Sequence, residues 1–251
     1  MPESTQMVGR VSALLRALAA TESDGLTTTE VARATGLPRP TVHRLLESLA
    51  EEGMVDRDGR TGRWFLGPEL YVLGARAASR FAVTDDAASA VRRLAEATGE
   101  SAFFSVRRGD ETVVLLRQDG SFPIRSFVLY EGARFPLGVV SAGIVLLAYL
   151  SEHEIADYLA RADLTQAWGE THSEAAIRER IRLTRERGWS LNPGLVVEGS
   201  WGMAAAVFDG DGSPRWALTL TGVQGRFVPD RQAELGHLLL AEAHHLSRAL
   251  S

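Results

Sequence analysis

Arg39, Thr41, His43 and Arg44 fall on one side of a short periodic segment whose other side carries Val42, Leu45, Leu46 and Leu49. A guanidinium can donate two hydrogen bonds to the O6 and N7 of guanine, so arginines at one end of a helix suit the reading of base edges in the major groove. Pro38 and Pro40 share that end, and Thr29 in the preceding segment completes the set. Arg57, Arg60 and Arg63 follow on a stretch with hairpin spacing, where positive charge reaches phosphates.

Other chemistry finds less support. The nearest approach to a nucleophile elbow is the stretch Glu198 to Gly202, and it has glutamate where G-x-S-x-G needs glycine for a sharp strand-to-helix turn. Asp209 to Gly212 lacks the spaced carboxylates of a calcium loop, and it reads as a hairpin turn. His237, His244 and His245 sit on one helical stretch without complementary ligands, and no H-E-x-x-H occurs. The chain has no cysteine, which excludes disulfides, thiolate catalysis and cysteine-bound zinc. No catalytic residue, cofactor or metal is therefore assigned.

The elements that must position the arginines are legible from period and caps. Val8, Val11, Leu14, Leu15 and Leu18 recur at helical steps. Thr27 and Glu30 form a capping box, with Leu26 and Val31 as a hydrophobic staple. Gly36 ends that second helix, and a third runs from about Pro38 to Glu52 before Gly53. Ala32, Gly36 and Val42 carry the helix-turn-helix spacing: a small residue at the crossing, a turn, and an apolar plug. Two apolar stretches about Asp58 and Gly59 predict a hairpin with positive backbone dihedrals at its tip, the wing. From Pro68, the positions Leu70, Leu73, Ala77 and Phe81 predict a further helix.

Beyond Val83 helices and strands alternate. The spacing predicts a helix to about Ala97, antiparallel strands over AFFSV, TVVLL and RSFVL, and a buried helix over GVVSAGIVLLAYL. It further predicts a helix capped by Thr171 or Ser173 and ending at Gly188, two strands about the DGDG turn, and a closing helix from Pro229 to Leu250. The fold class is α+β: a winged helix-turn-helix domain over 1–66, a linker helix over 67–82, and an α+β domain with a mainly antiparallel sheet over 83–251.

A chain of 251 residues, 45% hydrophobic and 24% charged, has ample material for a buried core. No apolar run approaches the roughly 20 residues of a membrane span, and the N-terminus lacks an apolar stretch of the secretory kind, so a cytoplasmic location and no membrane partner are expected. All 27 basic residues are arginine, against 32 carboxylates and a net charge of −5, so DNA binding must rest on placement rather than bulk charge. Residues 1–65 carry eight arginines and nine carboxylates. Glu22, Asp24, Glu51 and Glu52 are expected to fall away from the reading face.

The stretch GLTTTEVARATGLPRPTVHRLLESLAEEGMVDRDGRTGRWFLGPELYVLGARA resembles the DNA-binding domain and linker helix of IclR-type bacterial transcriptional regulators. PLGVVSAGIVLLAYL, RGWSLNPGLVVEGSWGMAAAVFDGDG and WALTLTG extend the resemblance over nearly the whole chain. It implies a GAF-like sensor domain, a homodimer or dimer of dimers formed through the DNA-binding half, double-stranded operator DNA as partner, and a small organic effector. It also implies an effector site between the sheet and the segment Gly132–Leu147, with LVVEGSWGMAA opposite. Leu129, Val140, Ser141 and Gly143 are nominated there, with Trp201, Gly202, Met203 and Thr219.

Many relatives carry histidine, threonine and lysine where this chain has Gly138, Val140 and Ile144, and cysteine at Gly202. The loss of those polar groups predicts an apolar or aromatic effector, and Ser141 near a helix start leaves room for a carboxylate. The function expected is a DNA-binding regulator, repressor or activator, whose operator affinity changes with effector. A protein-docking winged helix and a sensor-domain enzyme are the alternatives. The first predicts no salt-dependent DNA binding, and the second needs a catalytic constellation that the residues do not supply.

Overall fold

The computed structural model describes residues 3–21, 24–78, 83–124 and 128–250. The chain divides into two compact units, Met1–Ala82 and Val83–Ser251.

The first unit contains α1 (Glu3–Ala19), α2 (Thr28–Thr35), α3 (Arg39–Glu51), β1 (Val55–Arg57), β2 (Trp64–Leu66) and α4 (Pro68–Ala78). Thr27 and Glu30 make the reciprocal capping box: Glu30 N donates to Thr27 Oγ1 at 3.3 Å and Thr27 N to Glu30 Oε2 at 2.8 Å. Those backbone and hydroxyl bonds hold the Glu30 carboxyl below its usual range. Gly36 has φ 68°, a left-handed turn that any Cβ would strain, and so lets α3 leave α2 abruptly. Leu14, Leu18, Val31, Val42, Leu46, Leu49, Val55 and Trp64 form one apolar core. Leu45, expected among them, packs at its edge.

The wing differs from expectation. Its tip is a loop over 58–63, and the positive dihedral belongs to Gly62 (φ 69°), while Gly59 is not in that conformation. The cause is Asp58, whose Oδ1 accepts from the amides of Arg60 and Thr61 and from the Thr61 hydroxyl, winding the loop about itself. Of the stripe expected on α4, Leu73 is 45% exposed and Ala77 is exposed, and Phe81 lies outside the described residues.

The second unit holds α5 (Val83–Thr98), β3 (Ser101–Arg108), β4 (Glu111–Gln118), β5 (Arg134–Pro136), α6 (Ser141–Ala148), α7 (Glu152–Arg161), α8 (Thr165–Trp168), α9 (Glu174–Arg187), β6 (Ser190–Pro193), β7 (Ser200–Phe208), β8 (Pro214–Val223) and α10 (Pro229–Ala249). Six strands make one antiparallel sheet in the order β5-β4-β3-β8-β7-β6. Residues alternate between its faces. Ala102, Phe104, Met203, Ala205, Val207, Leu218 and Leu220 pack with α5 and α10. Phe103, Val114, Ala204, Ala206 and Ala217 pack with α6, α7 and α9. Alanines on that second face admit α6 closely, and all eight of its residues are buried, which is why its sequence is apolar all round.

Two expectations change here. Val128 to Tyr130 are not in a strand, and Arg125 to Phe127 lie outside the described residues; β4 takes its edge partner from Arg134–Pro136 instead. Ser173 stands at the N-cap of α9, but its hydroxyl makes no capping bond. The helix α7, which sequence reading passes over, has a full capping box from Ser151 to Glu154.

Candidate nucleic-acid interface and effector cleft

Burial of Val42, Leu46 and Leu49 turns the opposite side of α3 outward. Arg39, Pro40, His43 and Arg44 are exposed there with Pro38 before them, Thr41 is half-buried, and Thr29 is exposed on α2. His43, Arg44, Glu47, Ser48 and Glu51 line one shallow groove along the helix. Glu51 therefore shares the surface it was expected to avoid, while Glu22 lies outside the described residues.

The three wing arginines separate. Arg60 is exposed on the loop. Arg57 lies over the Trp64 ring, 5.3 Å from its centroid, with Nη1 3.7 Å from Glu47 Oε1. Arg63 turns inward: its Nη1 donates to Gly25 O at 2.9 Å and sits 3.3 Å from Glu30 Oε2. That guanidinium braces the wing against the start of α2, a role that spacing alone does not reveal.

In the second unit a narrow cleft, partly open to solvent, lies between the start of α6 and the ends of β6, β7 and β8. Leu129, Val140, Ser141, Trp201 and Gly202 line it, as nominated. Gly143, Met203 and Thr219 do not. A Cβ on Gly143 would stand 2.0 Å from Leu137 O, so that glycine serves close packing of α6 on the preceding turn. Met203 follows Gly202 along β7 and so faces α5 and α10. Thr219 shares the cleft's side of the sheet but pairs with Ala204, two residues deeper than the Gly202–Thr221 pair, and is fully buried.

Sequence reading missed Val128, Asn192, Val196, Ser200 and Thr221, which complete the lining. Their signal would have been the alternation of β8 and the polar residue within β6. Apolar walls thus meet a cluster of small polar groups. The Thr219 and Thr221 hydroxyls are buried without hydrogen-bond partners among the described residues. Gly202 keeps the cleft open, since a Cβ there would lie 3.2 Å from Ser141 Oγ.

The turn that leads into α6 is held from behind. Gly138 N donates to the Tyr158 hydroxyl at 3.0 Å, and Gly138 O accepts from Arg180 Nη2 at 3.2 Å. Asn192 Nδ2 donates to Val139 O at 2.9 Å while its Oδ1 accepts from Leu195 N at 2.9 Å, tying that turn to the loop across the cleft. Burial pulls Arg180 down to about 10. His172, 1% exposed, donates from Nδ1 to Trp168 O at 3.0 Å, and burial holds its imidazole below the usual 6.5. Among the described residues no group of three or more metal-ligating side chains occurs, and no helix is long and apolar enough to cross a membrane.

Two family profiles match the chain. The family profile described as "IclR helix-turn-helix domain" matches residues 7–59, and that described as "Bacterial transcriptional regulator IclR C-terminal" matches residues 75–248. The Transcriptional repressor IclR of Escherichia coli (strain K12) is 28% identical over 248 residues, covering 96% of this chain and 90% of the relative. An IclR transcriptional regulator from Alicyclobacillus acidocaldarius superposes with a TM-score of 0.81 at 24% identity, over 97% of this chain and 98% of that one. An IclR homologue from Microbacterium hydrocarbonoxydans, solved with 4-hydroxybenzoate, superposes with a TM-score of 0.77 at 21% identity, over 97% and 99%. Two matching profiles that together span most of the chain make it a member of the IclR family of bacterial transcriptional regulators, DNA-binding proteins with a C-terminal effector-binding domain.

Proposed function

We propose that α3 enters the major groove of a pseudo-palindromic operator, with Arg39 and Arg44 as the base-reading donors and Thr29, Pro38, Pro40, Thr41 and His43 around them. Arg57 and Arg60 of the wing meet phosphates. Arg63 acts by holding the wing in place. The carrying observation is the exposure of these side chains on the face of α3 opposite its buried stripe.

The protein acts as a homodimer. Tyr71 (80% exposed), Val72 and Leu73 on α4, with Met7 and Val8 on α1, leave apolar side chains uncovered in the single chain, which supports α1 and α4 as the self-association surface. Residues 67–82 serve as the linker through which effector binding in 83–251 is felt by residues 1–66. A coupling of about 1–3 kcal/mol shifts operator affinity roughly 5- to 150-fold.

The effector is a small organic molecule with an apolar or aromatic body. Val128, Leu129, Val140, Val196 and Trp201 offer the apolar wall, and Ser141, Asn192 and Thr221 offer the polar end. An aromatic acid such as 4-hydroxybenzoate, the compound held by the Microbacterium homologue, matches the chemistry of that lining.

Fluorescence anisotropy on DNA from upstream of the protein's own coding sequence, with scrambled competitor and a salt series, tests the reading. Saturable, competitor-resistant binding that weakens with salt and shifts with 4-hydroxybenzoate is expected. Salt-independent binding, or none with or without the acid, overturns it. A monomeric mass by light scattering at micromolar concentration overturns the dimer.

A further inference from the structure

We propose that Glu47 is a specificity-determining residue of the reading surface, accepting a hydrogen bond from the N4 amino group of a cytosine. The inference rests on the reading of α3 as the helix that enters the major groove.

Glu47 lies one helical turn beyond His43 on the exposed side of α3, in the groove it shares with Arg44 and Ser48. A carboxylate on a surface that meets a polyanion repels phosphate, so it is tolerated only where its charge is offset or where it meets a donor. The structure meets the first condition, and the proposed cytosine supplies the second. His43 Nδ1 at 3.4 Å and Arg57 Nη1 at 3.7 Å converge on one oxygen, Oε1. The side chain is nonetheless 52% exposed. The carboxylate is therefore held between the helix and the wing while about half of the side chain stays open to solvent, with acceptor capacity to offer.

The major groove offers amino donors only on cytosine N4 and adenine N6. Adenine sets the N7 acceptor beside its amino group, which repels a carboxylate, whereas cytosine carries no such neighbour. An acceptor-only side chain at this place consequently selects cytosine. Glu47 so favours the correct site and disfavours the rest.

Selection from a random duplex library by the full-length wild type, E47Q, E47A and R44A tests this. The wild type is expected to enrich cytosine at one position of each half-site. E47Q, whose amide both donates and accepts, shifts that position toward adenine. E47A loses about tenfold of discrimination there, while other positions hold and binding to unselected duplex strengthens. Recovery of the wild-type sequences by both Glu47 variants, with R44A altered, overturns this inference alone. Unchanged selection by R44A as well overturns the reading of α3 beneath it. Should E47A fold poorly by circular dichroism, the shift with E47Q decides.

Discussion

The two units treat polar groups in opposite ways. In the first, every buried side chain of the core is apolar, from Leu14 to Trp64, and the groups with chemistry to perform stand outside. In the second, Ser101, Ser105, Thr112, Ser141, Ser190, Asn192, Thr219 and Thr221 are buried within or beside the sheet, together with Glu100 and His172. A reading head needs a rigid frame with donors on its surface. A sensing domain needs an interior with polar capacity left over, and the unpartnered hydroxyls of Thr219 and Thr221 beside the cleft are such capacity. Buried hydroxyls without partners cost free energy, and a ligand that reaches the Thr221 hydroxyl would recover part of that cost.

Four changes would break or sharpen that contrast. Leu46→Ala, in the wholly apolar core of the head, should cost about 2–5 kcal/mol and abolish operator binding, as measured by anisotropy and thermal melting; intact binding would mean that the head does not depend on this frame. Gly202→Val should fill the cleft against Ser141 Oγ and weaken an aromatic-acid probe more than tenfold by calorimetry, leaving ligand-free DNA affinity as it was. A parallel fall in DNA affinity would show that the change acts beyond the cleft. Arg63→Ala and Arg44→Ala should part company: the second relaxes sequence preference and costs about 1–3 kcal/mol of binding. The first lowers the melting temperature of the head by freeing the wing from Gly25 and Glu30.

The smallest effect is expected from acid. Burial holds His172 below its usual 6.5, so the unfolded chain takes up the proton first as pH falls. The stability gained by keeping the imidazole neutral is complete above about pH 6.5 and is lost as pH drops through the folded value. Melting curves between pH 8 and 5 should therefore decline on the acid side, and His172→Gln should flatten that decline. Equal slopes in the two proteins would place the acid sensitivity elsewhere.

Local signals were the legible ones. The Thr27–Glu30 box, the Gly36 turn and the stripe of Val42, Leu46 and Leu49 each act within a few residues, and each is found where the spacing placed it. The wing turn departs from its spacing because two glycines compete, and only the folded loop shows that the Asp58 side chain draws the positive dihedral to Gly62. Gly202 and Met203 could not both face the cleft, a consequence of strand alternation that a segment-level resemblance passes over. Thr221 and Asn192 carry no motif; they reach the cleft through the register of β8 on β7 and of β6 on β7. Arg63 pairs with carbonyls some 38 positions away, a separation at which sequence spacing is silent.

Trp64 has a further role. Its amide and carbonyl pair with those of Leu26 at 2.8 and 3.0 Å, and its indole donates to Thr28 Oγ1 at 3.1 Å, so the inner wing strand is stitched to the segment that opens α2. The wing consequently has no melting of its own to undergo. The amide protons of Leu26 and Trp64 should exchange with deuterium together, at the rate of the whole head. Trp64 is the one tryptophan among residues 1–82, and its emission reports that event once the signal of Trp168, Trp189, Trp201 and Trp216 is removed by substitution.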